Sequence, residues 1–100
     1  MTLQGLIVKI AKEVNKLEIN TNNELEKRLY DEIMDLWETT KSCYHNRNIG
    51  NKTLISDIRN TTGVLFNFTY LLSNQFGEQA NKVLFHLYQL ARLIEISIYG

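Results

Sequence analysis

Apolar residues recur at steps of three and four along four separate stretches of this 100-residue chain. That spacing places them on one face of a helix, whereas the side chains of a strand alternate with a period of two. The chain also has no proline and only five glycines, too few turn-forming residues for the many short strands of a β-sandwich or β-barrel. The sequence therefore predicts an all-α fold.

Four helices are predicted, over residues 2–17, 21–45, 53–73 and 78–98. Thr21 and Glu24 fit a capping box at the start of the second helix. Gly63 lies in a β-branched run of the third helix, where helix propensity is low. We expect the helix to continue through this position, either straight or with a bend. Because the connections are short, consecutive helices are expected to be antiparallel neighbours. We therefore expect one domain, residues 1–100, folded as an up-down-up-down four-helix bundle.

The predicted buried faces follow the same spacing. The first helix contributes Leu3, Leu6, Ile7, Ile10, Ala11, Val14 and Leu17. The second contributes Leu25, Leu29, Ile33, Leu36, Trp37 and, at the margin, Tyr44. The third contributes Leu54, Ile58, Thr61 or Thr62, Leu65, Phe68 or Thr69, and Leu72. The fourth contributes Ala80, Val83, Leu84, Leu87, Leu90, Ala91, Ile94 and Ile98.

The fourth helix is apolar over most of its girth. Its main stripe is supplemented by apolar residues that lie outside it, namely Phe85, Tyr88, Leu93 and Ile96. A helix of this kind is either central in the fold or keeps one face for a partner. The chain ends on further large apolar side chains, including Ile98 and Tyr99, which must dock either on the bundle or on another molecule.

Charge and composition exclude several classes of protein. Eleven Lys and Arg balance eleven Asp and Glu, so the basic excess of a typical nucleic-acid-binding protein is missing. A single cysteine rules out an internal disulfide framework. No apolar run approaches the ~20 residues of a membrane span, and the first residues do not read as a secretion signal. These features favour a soluble, cytoplasmic protein.

Candidate catalytic and metal-binding groups are sparse. Cys43 and His45 form the one close pair of good metal ligands, and a structural zinc site needs four. A nucleophilic Cys43 would need His45 or His86 as its base, with a third group to orient it. The carboxylates of the second helix alternate with basic residues and are expected to form a solvated face; they are Glu24, Glu26, Asp31, Glu32, Asp35 and Glu38. We therefore predict no enzyme, no metal, no cofactor and no small-molecule substrate.

The two halves of the chain differ in composition. Residues 1–50 hold fifteen of the twenty-two charges, whereas residues 51–100 hold seven of the ten aromatic residues. Aromatic enrichment with depletion of charge is typical of the centre of a protein interface, and equally of a bundle core. For any one aromatic residue, a place in the core is the better prediction.

Five segments of the chain resemble the immunity proteins of pediocin-like bacteriocins, in particular the enterocin A immunity group. They are LIVKI (6–10), LYDEI (29–33), LISDIR (54–59), LYQLA (87–91) and the terminal ISIYG (96–100). The resemblance covers nearly the whole chain. It implies a small cytosolic protein folded as an antiparallel four-helix bundle.

The resemblance also implies a function. An immunity protein of this group protects its own cell by binding, from the cytosol, the mannose phosphotransferase permease that a bacteriocin has engaged, and so blocking the pore. The C-terminal half of such proteins sets which bacteriocin is recognised. Peripheral contact with the inner face of the membrane is compatible with this role, although the balanced charge gives no electrostatic reason for it. On this hypothesis the partner contacts are Phe76, Tyr88, Arg92, Ile96 and Tyr99.

Two other functions remain open. The chain could be a small helical regulator or inhibitor from a phage or mobile element, with the extra apolar face of the fourth helix forming a homodimer. An enzyme built around Cys43 or His86 is the third, weaker alternative.

Overall fold

All regular secondary structure in the described part of the chain is helical. The computed structural model describes residues 2–19, 22–45, 52–72 and 75–99, and of residues 98 and 99 the backbone alone. The helices are α1 (Leu3–Asn15), α2 (Glu24–His45), α3 (Lys52–Phe68) and α4 (Gln75–Tyr99). A 3-10 turn, Thr69–Leu71, extends α3. The all-α prediction is thus confirmed for these residues.

Helix α4 is the centre of the fold. It packs most extensively against α3 and also against both α1 and α2, whereas α1 packs mainly on α4. The predicted stripe of α4 is confirmed for every position whose side chain is described: Ala80, Val83, Leu84, Leu87, Leu90, Ala91 and Ile94 are all buried. At 1.5 Å per residue its 25 residues reach about 37 Å, which nearly spans the 41 Å long axis of the molecule.

The side chains at the starts of α1 and α2 cap these helices. Thr2 precedes α1, and its hydroxyl accepts a hydrogen bond from the Gly5 amide at 3.0 Å. At α2 the cap is Asn23, whose Oδ1 accepts from the Glu26 amide at 3.2 Å. The predicted capping residue Thr21 lies outside the described residues, and α2 begins two residues later than a cap at Thr21 requires.

The buried face of α2 differs from the prediction in its first turn. Leu29, Ile33 and Trp37 are buried as expected, but Leu25 is 48% exposed and its neighbour Glu26 is 2% exposed. Both residues are compatible with a stripe that continues back from Leu29, since they lie three and four positions before it. The prediction that Leu25 is core and Glu26 solvated was therefore wrong. Leu25 instead lies over the end of α3.

Helix α3 runs without interruption through Gly63. The face that it buries is Ile55, Ile58, Thr62 and, in the 3-10 turn, Thr69. Leu54, predicted for the core, is 37% exposed, so that prediction was wrong. Of the two alternatives Phe68 and Thr69, Thr69 is the buried one. The reason is that the side that α3 buries is rotated by one residue position from its most apolar side.

Threonine can occupy that buried face because its hydroxyl is satisfied within its own helix. Thr62 donates to the Arg59 carbonyl at 2.7 Å, and Thr69 donates to the Phe66 carbonyl at 2.6 Å. Thr40, buried on α2, donates to the Leu36 carbonyl in the same way. A buried hydroxyl with such a partner does not carry the desolvation cost of an unpaired one.

Contacts between α3 and α4 fix the relative direction of this pair. Arg59 contacts Glu95, the Phe66 ring lies 6.3 Å from the Phe85 ring, and Thr69 accepts a hydrogen bond from Asn81 at 2.8 Å. Residue numbers therefore rise along α3 as they fall along α4. The two helices are antiparallel.

Gly77, in the first turn of α4, allows the close approach of the chain that precedes the helix. A Cβ at this position would lie 2.2 Å from the Leu72 carbonyl oxygen, a backbone atom that cannot move away by changing rotamer. A Cβ at Gly63, by contrast, would meet no heavy atom within 4 Å. Gly63 and Gly77 therefore differ sharply in their tolerance of a side chain.

We expect Gly77→Ala to lower the free energy of unfolding by about 1–3 kcal/mol, because the new methyl group overpacks against Leu72. The matched variant Gly63→Ala should raise that free energy by about 0.5–1 kcal/mol, since alanine costs less conformational entropy in a helix. Urea denaturation followed by circular dichroism measures both. Equal effects of the two substitutions would contradict this account of Gly77.

Candidate functional site

The side of α4 that faces away from the core carries three large exposed side chains in successive turns. Tyr88 is 40% exposed, Ile96 is 54% exposed, and the Arg92 side chain between them is half exposed. Phe85, one turn before Tyr88, is also about half exposed. We call Phe85, Tyr88, Arg92 and Ile96 the α4 outer face. Its mixture of aromatic, aliphatic and guanidinium groups is the chemistry of interface anchors.

A shallow apolar groove of about 250 Å³ borders the α4 outer face where α3 and α4 meet. Thr62 and Gly63 form part of its floor, and Phe66, Phe85 and Tyr88 line its sides. The Phe66 ring also packs edge-on against Tyr70, with centroids 5.7 Å apart. The groove is therefore an apolar recess lined by aromatic rings of both helices.

An ion-pair network anchors the Arg92 end of this face. Arg92 donates from Nη1 to Glu95 Oε1 at 2.9 Å, and Arg59 Nη1 on α3 lies 3.7 Å from the same oxygen. Glu95 is largely buried, and both guanidinium groups form ion pairs with its carboxylate. Arg92 nevertheless keeps N–H groups directed to solvent, since a guanidinium has five donors. The network positions a cation next to the apolar surface.

The five predicted contact residues do not share one environment. Tyr88, Arg92 and Ile96 lie together on the α4 outer face. Phe76 is 3% exposed and belongs to the core, because α4 begins at Gln75 and its first turn packs inward. Phe76 therefore drops out of the predicted surface. The Tyr99 side chain lies outside the described residues.

A second exposed apolar surface was missed from the sequence. Leu25 on α2 and Phe68 on α3 are each about half exposed and line a groove of about 410 Å³ between the two helices. Val64 and Leu71, one turn to either side of Phe68, are also exposed. We call Leu25, Val64, Phe68 and Leu71 the α2–α3 seam. The available signal was the choice between Phe68 and Thr69 for the core, since burial of Thr69 leaves Phe68 outside.

His86 faces α1 and is bound to it. Its Nδ1–H donates to Glu13 Oε1 at 2.7 Å, and both side chains are largely buried. Lys9 and Lys82 line the same small cleft between α1 and α4. The hydrogen bond of His86 therefore connects α1 with α4. Within the described residues, no group of three or more His, Cys, Asp or Glu is placed to hold a metal ion.

Cys43, near the end of α2, is partly buried against the core. Burial raises the pKa of the Cys43 thiol above its ordinary value. A reactive cysteine needs the opposite shift, because the thiolate is the nucleophile.

The acidic residues of α2 were predicted to form a solvated face. Glu26 is buried, whereas the other five are exposed: Glu24, Asp31, Glu32, Asp35 and Glu38.

Comparison of the chain with protein-family models, with curated proteins and with solved structures finds no match. Among the helices that the structure describes, none combines the length and apolar character needed to cross a bilayer.

We expect Glu13→Ala to lower the free energy of unfolding by about 1–3 kcal/mol, because it leaves the buried His86 N–H without its acceptor. A double-mutant cycle with His86→Ala should give a coupling free energy of roughly 1 kcal/mol or more. The matched control is the pair Glu38 and Lys41, whose exposed ion pair on α2 should couple by less than ~0.5 kcal/mol. Similar coupling in both pairs would show that the α1–α4 contact is not special.

The raised pKa of Cys43 predicts slow alkylation of the folded protein near neutral pH. The pH midpoint of the alkylation rate should be higher in the folded chain than in the same chain unfolded in urea, because burial disfavours the thiolate. Steric protection alone would lower the rate at every pH without moving the midpoint. Coincident midpoints would therefore contradict the burial effect.

Proposed function

We propose that this chain is an interaction protein that acts through the α4 outer face, and that its role is immunity to a pediocin-like bacteriocin. In this role it binds the bacteriocin-loaded mannose phosphotransferase permease from the cytosol and blocks the pore. The supporting observation is that Tyr88, Arg92 and Ile96 lie together and remain accessible in the isolated chain. The identity of the partner rests on the sequence resemblance to the enterocin A immunity group.

Part of the proposal is an up-down-up-down antiparallel order of the four helices. The order of the α3–α4 contacts supports it for that pair. Short connections support it for the other two consecutive pairs. Residues 16–23 separate α1 from α2, and residues 46–51 separate α2 from α3. Such short segments favour an antiparallel neighbour. In this order the C-terminal end of α4 lies beside the start of α3, where Arg59 meets Glu95.

The mechanism that we propose is conditional binding and not catalysis. A permease engaged by bacteriocin exposes a surface that the empty permease does not, and the α4 outer face covers it. Tyr88 supplies a rigid ring beside the apolar groove, Ile96 supplies aliphatic area, and Arg92 donates hydrogen bonds. Because each contact is small, discrimination depends on all of them engaging together.

The alternative function is a phage- or mobile-element-type regulator or inhibitor. In that case a second copy of the chain would cover the α4 outer face permanently. The same exposed residues support this alternative, and the oligomeric state separates the two. A stable dimer that buries Tyr88 and Ile96 favours the regulator, whereas binding of the permease only when bacteriocin is present favours immunity.

We expect a bacteriocin-sensitive strain that expresses this chain to survive a pediocin-like peptide. The variants Ile96→Asp and Tyr88→Ala should each reduce that protection at least ~10-fold. Both side chains are substantially exposed, so the substitutions remove surface and leave the core intact. Growth inhibition across a panel of peptides measures the effect. Truncation after Arg92 is a poorer test because it also removes Ile94, which is buried.

The matched control is Val8→Asp, which introduces the same charge at an exposed apolar position on α1 that does not line the groove beside the α4 outer face. It should leave protection unchanged. Circular dichroism must show the same helix content and thermal midpoint for all variants. Protection that survives both outer-face substitutions, or is lost equally with Val8→Asp, would refute the proposed surface.

A further inference from the structure

We propose that the α2–α3 seam is the interface of a homodimer, in which a second copy of this chain docks across a twofold axis that passes between Arg28 and Glu32. This inference concerns a surface separate from the α4 outer face and does not depend on the immunity proposal. The first observation is the seam itself. Leu25, Val64, Phe68 and Leu71 are between 47% and 70% exposed, and Leu25 and Phe68 line a groove of about 410 Å³.

Large apolar side chains scattered singly on a surface need no explanation, but Leu25 and Phe68 line one groove, and Val64 and Leu71 lie one helical turn to either side of Phe68. Leu65 and Leu72 form the partly buried side of the same groove and connect the seam with the core. An apolar recess with protruding leucine and phenylalanine side chains at its rim offers both the knob and the hole of a packed interface. A surface that contains both can pack against its own copy.

The charges beside the groove identify a second copy as the occupant. Arg28 and Glu32 are exposed, lie one turn apart on α2 and line the groove. Neither takes part in an ion pair with another described residue. If a second α2 crosses in the opposite direction with the axis between these positions, Arg28 of each copy meets Glu32 of the other. The apolar contact and both charges are then satisfied at once, twice per dimer.

The net charge agrees with this occupant. The formal charge of the chain is zero at pH 7, so two copies approach without long-range repulsion. The seam offers only four exposed apolar side chains per copy, so we expect a reversible dimer with a dissociation constant on the order of 10 µM. Such a dimer leaves Tyr88 and Ile96 uncovered.

The test is sedimentation velocity at concentrations below and above that constant, with single charge reversals. Arg28→Glu places two carboxylates together at both ends of the axis, and Glu32→Arg places two guanidinium groups together. Each should weaken the dimer at least ~10-fold. An equimolar mixture of the two variants should form a heterodimer about as stable as the native homodimer, because every charge then faces its opposite. The double variant in one chain should dimerise as well.

Two neighbouring reversals serve as controls. Lys27→Glu and Asp31→Arg produce the same changes in net charge at exposed α2 positions that do not line the groove. They should leave the dissociation constant within about twofold of the native value. A protein that stays monomeric throughout, a dimer that the single reversals do not weaken, or a mixture that fails to form heterodimers would overturn the proposal. If the native chain forms the dimer but does not protect a sensitive strain from the peptides, the proposed function alone is refuted.

Discussion

The fold depends on the burial of α4. Its residues from Ala80 to Ile94 that face the core are almost wholly removed from water, and all three other helices pack against it. Two of these residues, Ala80 and Ala91, are small and are fully buried. Because burial of apolar surface is the dominant favourable contribution to folding, the helix with most apolar girth becomes the axis around which the others arrange.

Much of this arrangement is encoded in local periodicity. The spacing of apolar residues predicts four helices and the buried stripe of α4, since a helix surrounded by others buries every apolar position on its inner side. The stripes of α2 and α3 are less determined, because two adjacent faces of each helix fit the same spacing. The neighbour decides between them: α3 turns Ile55 and Thr62 toward α4, and Leu54 and Phe68 remain half outside. Hydrophobicity alone would place Phe68 inside before Thr62.

The candidate site shows the same division. The exposure of Tyr88 and Ile96 follows from a helix whose apolar residues exceed what one stripe can hold. The burial of Phe76 could not be predicted, because it depends on α4 starting at Gln75 and on the close approach of Leu72 to Gly77. Of the α2–α3 seam, the sequence leaves Phe68 open as the alternative to Thr69 for the core, whereas Leu25 fits the spacing of a core residue and gives no sign of its exposure.

Both exposed surfaces have one geometric cause. Three helices of ordinary width cannot enclose a fourth on every side, and α1 and α3 flank α4 with Phe85 between them. The gap is the α4 outer face. The α2–α3 seam arises because α3 directs its closest packing at α4 and meets α2 less extensively. A helical fold organised around a central helix thus exposes apolar surface opposite its core and along its weakest seam. These are the places where a second molecule can add the burial that the chain does not complete by itself.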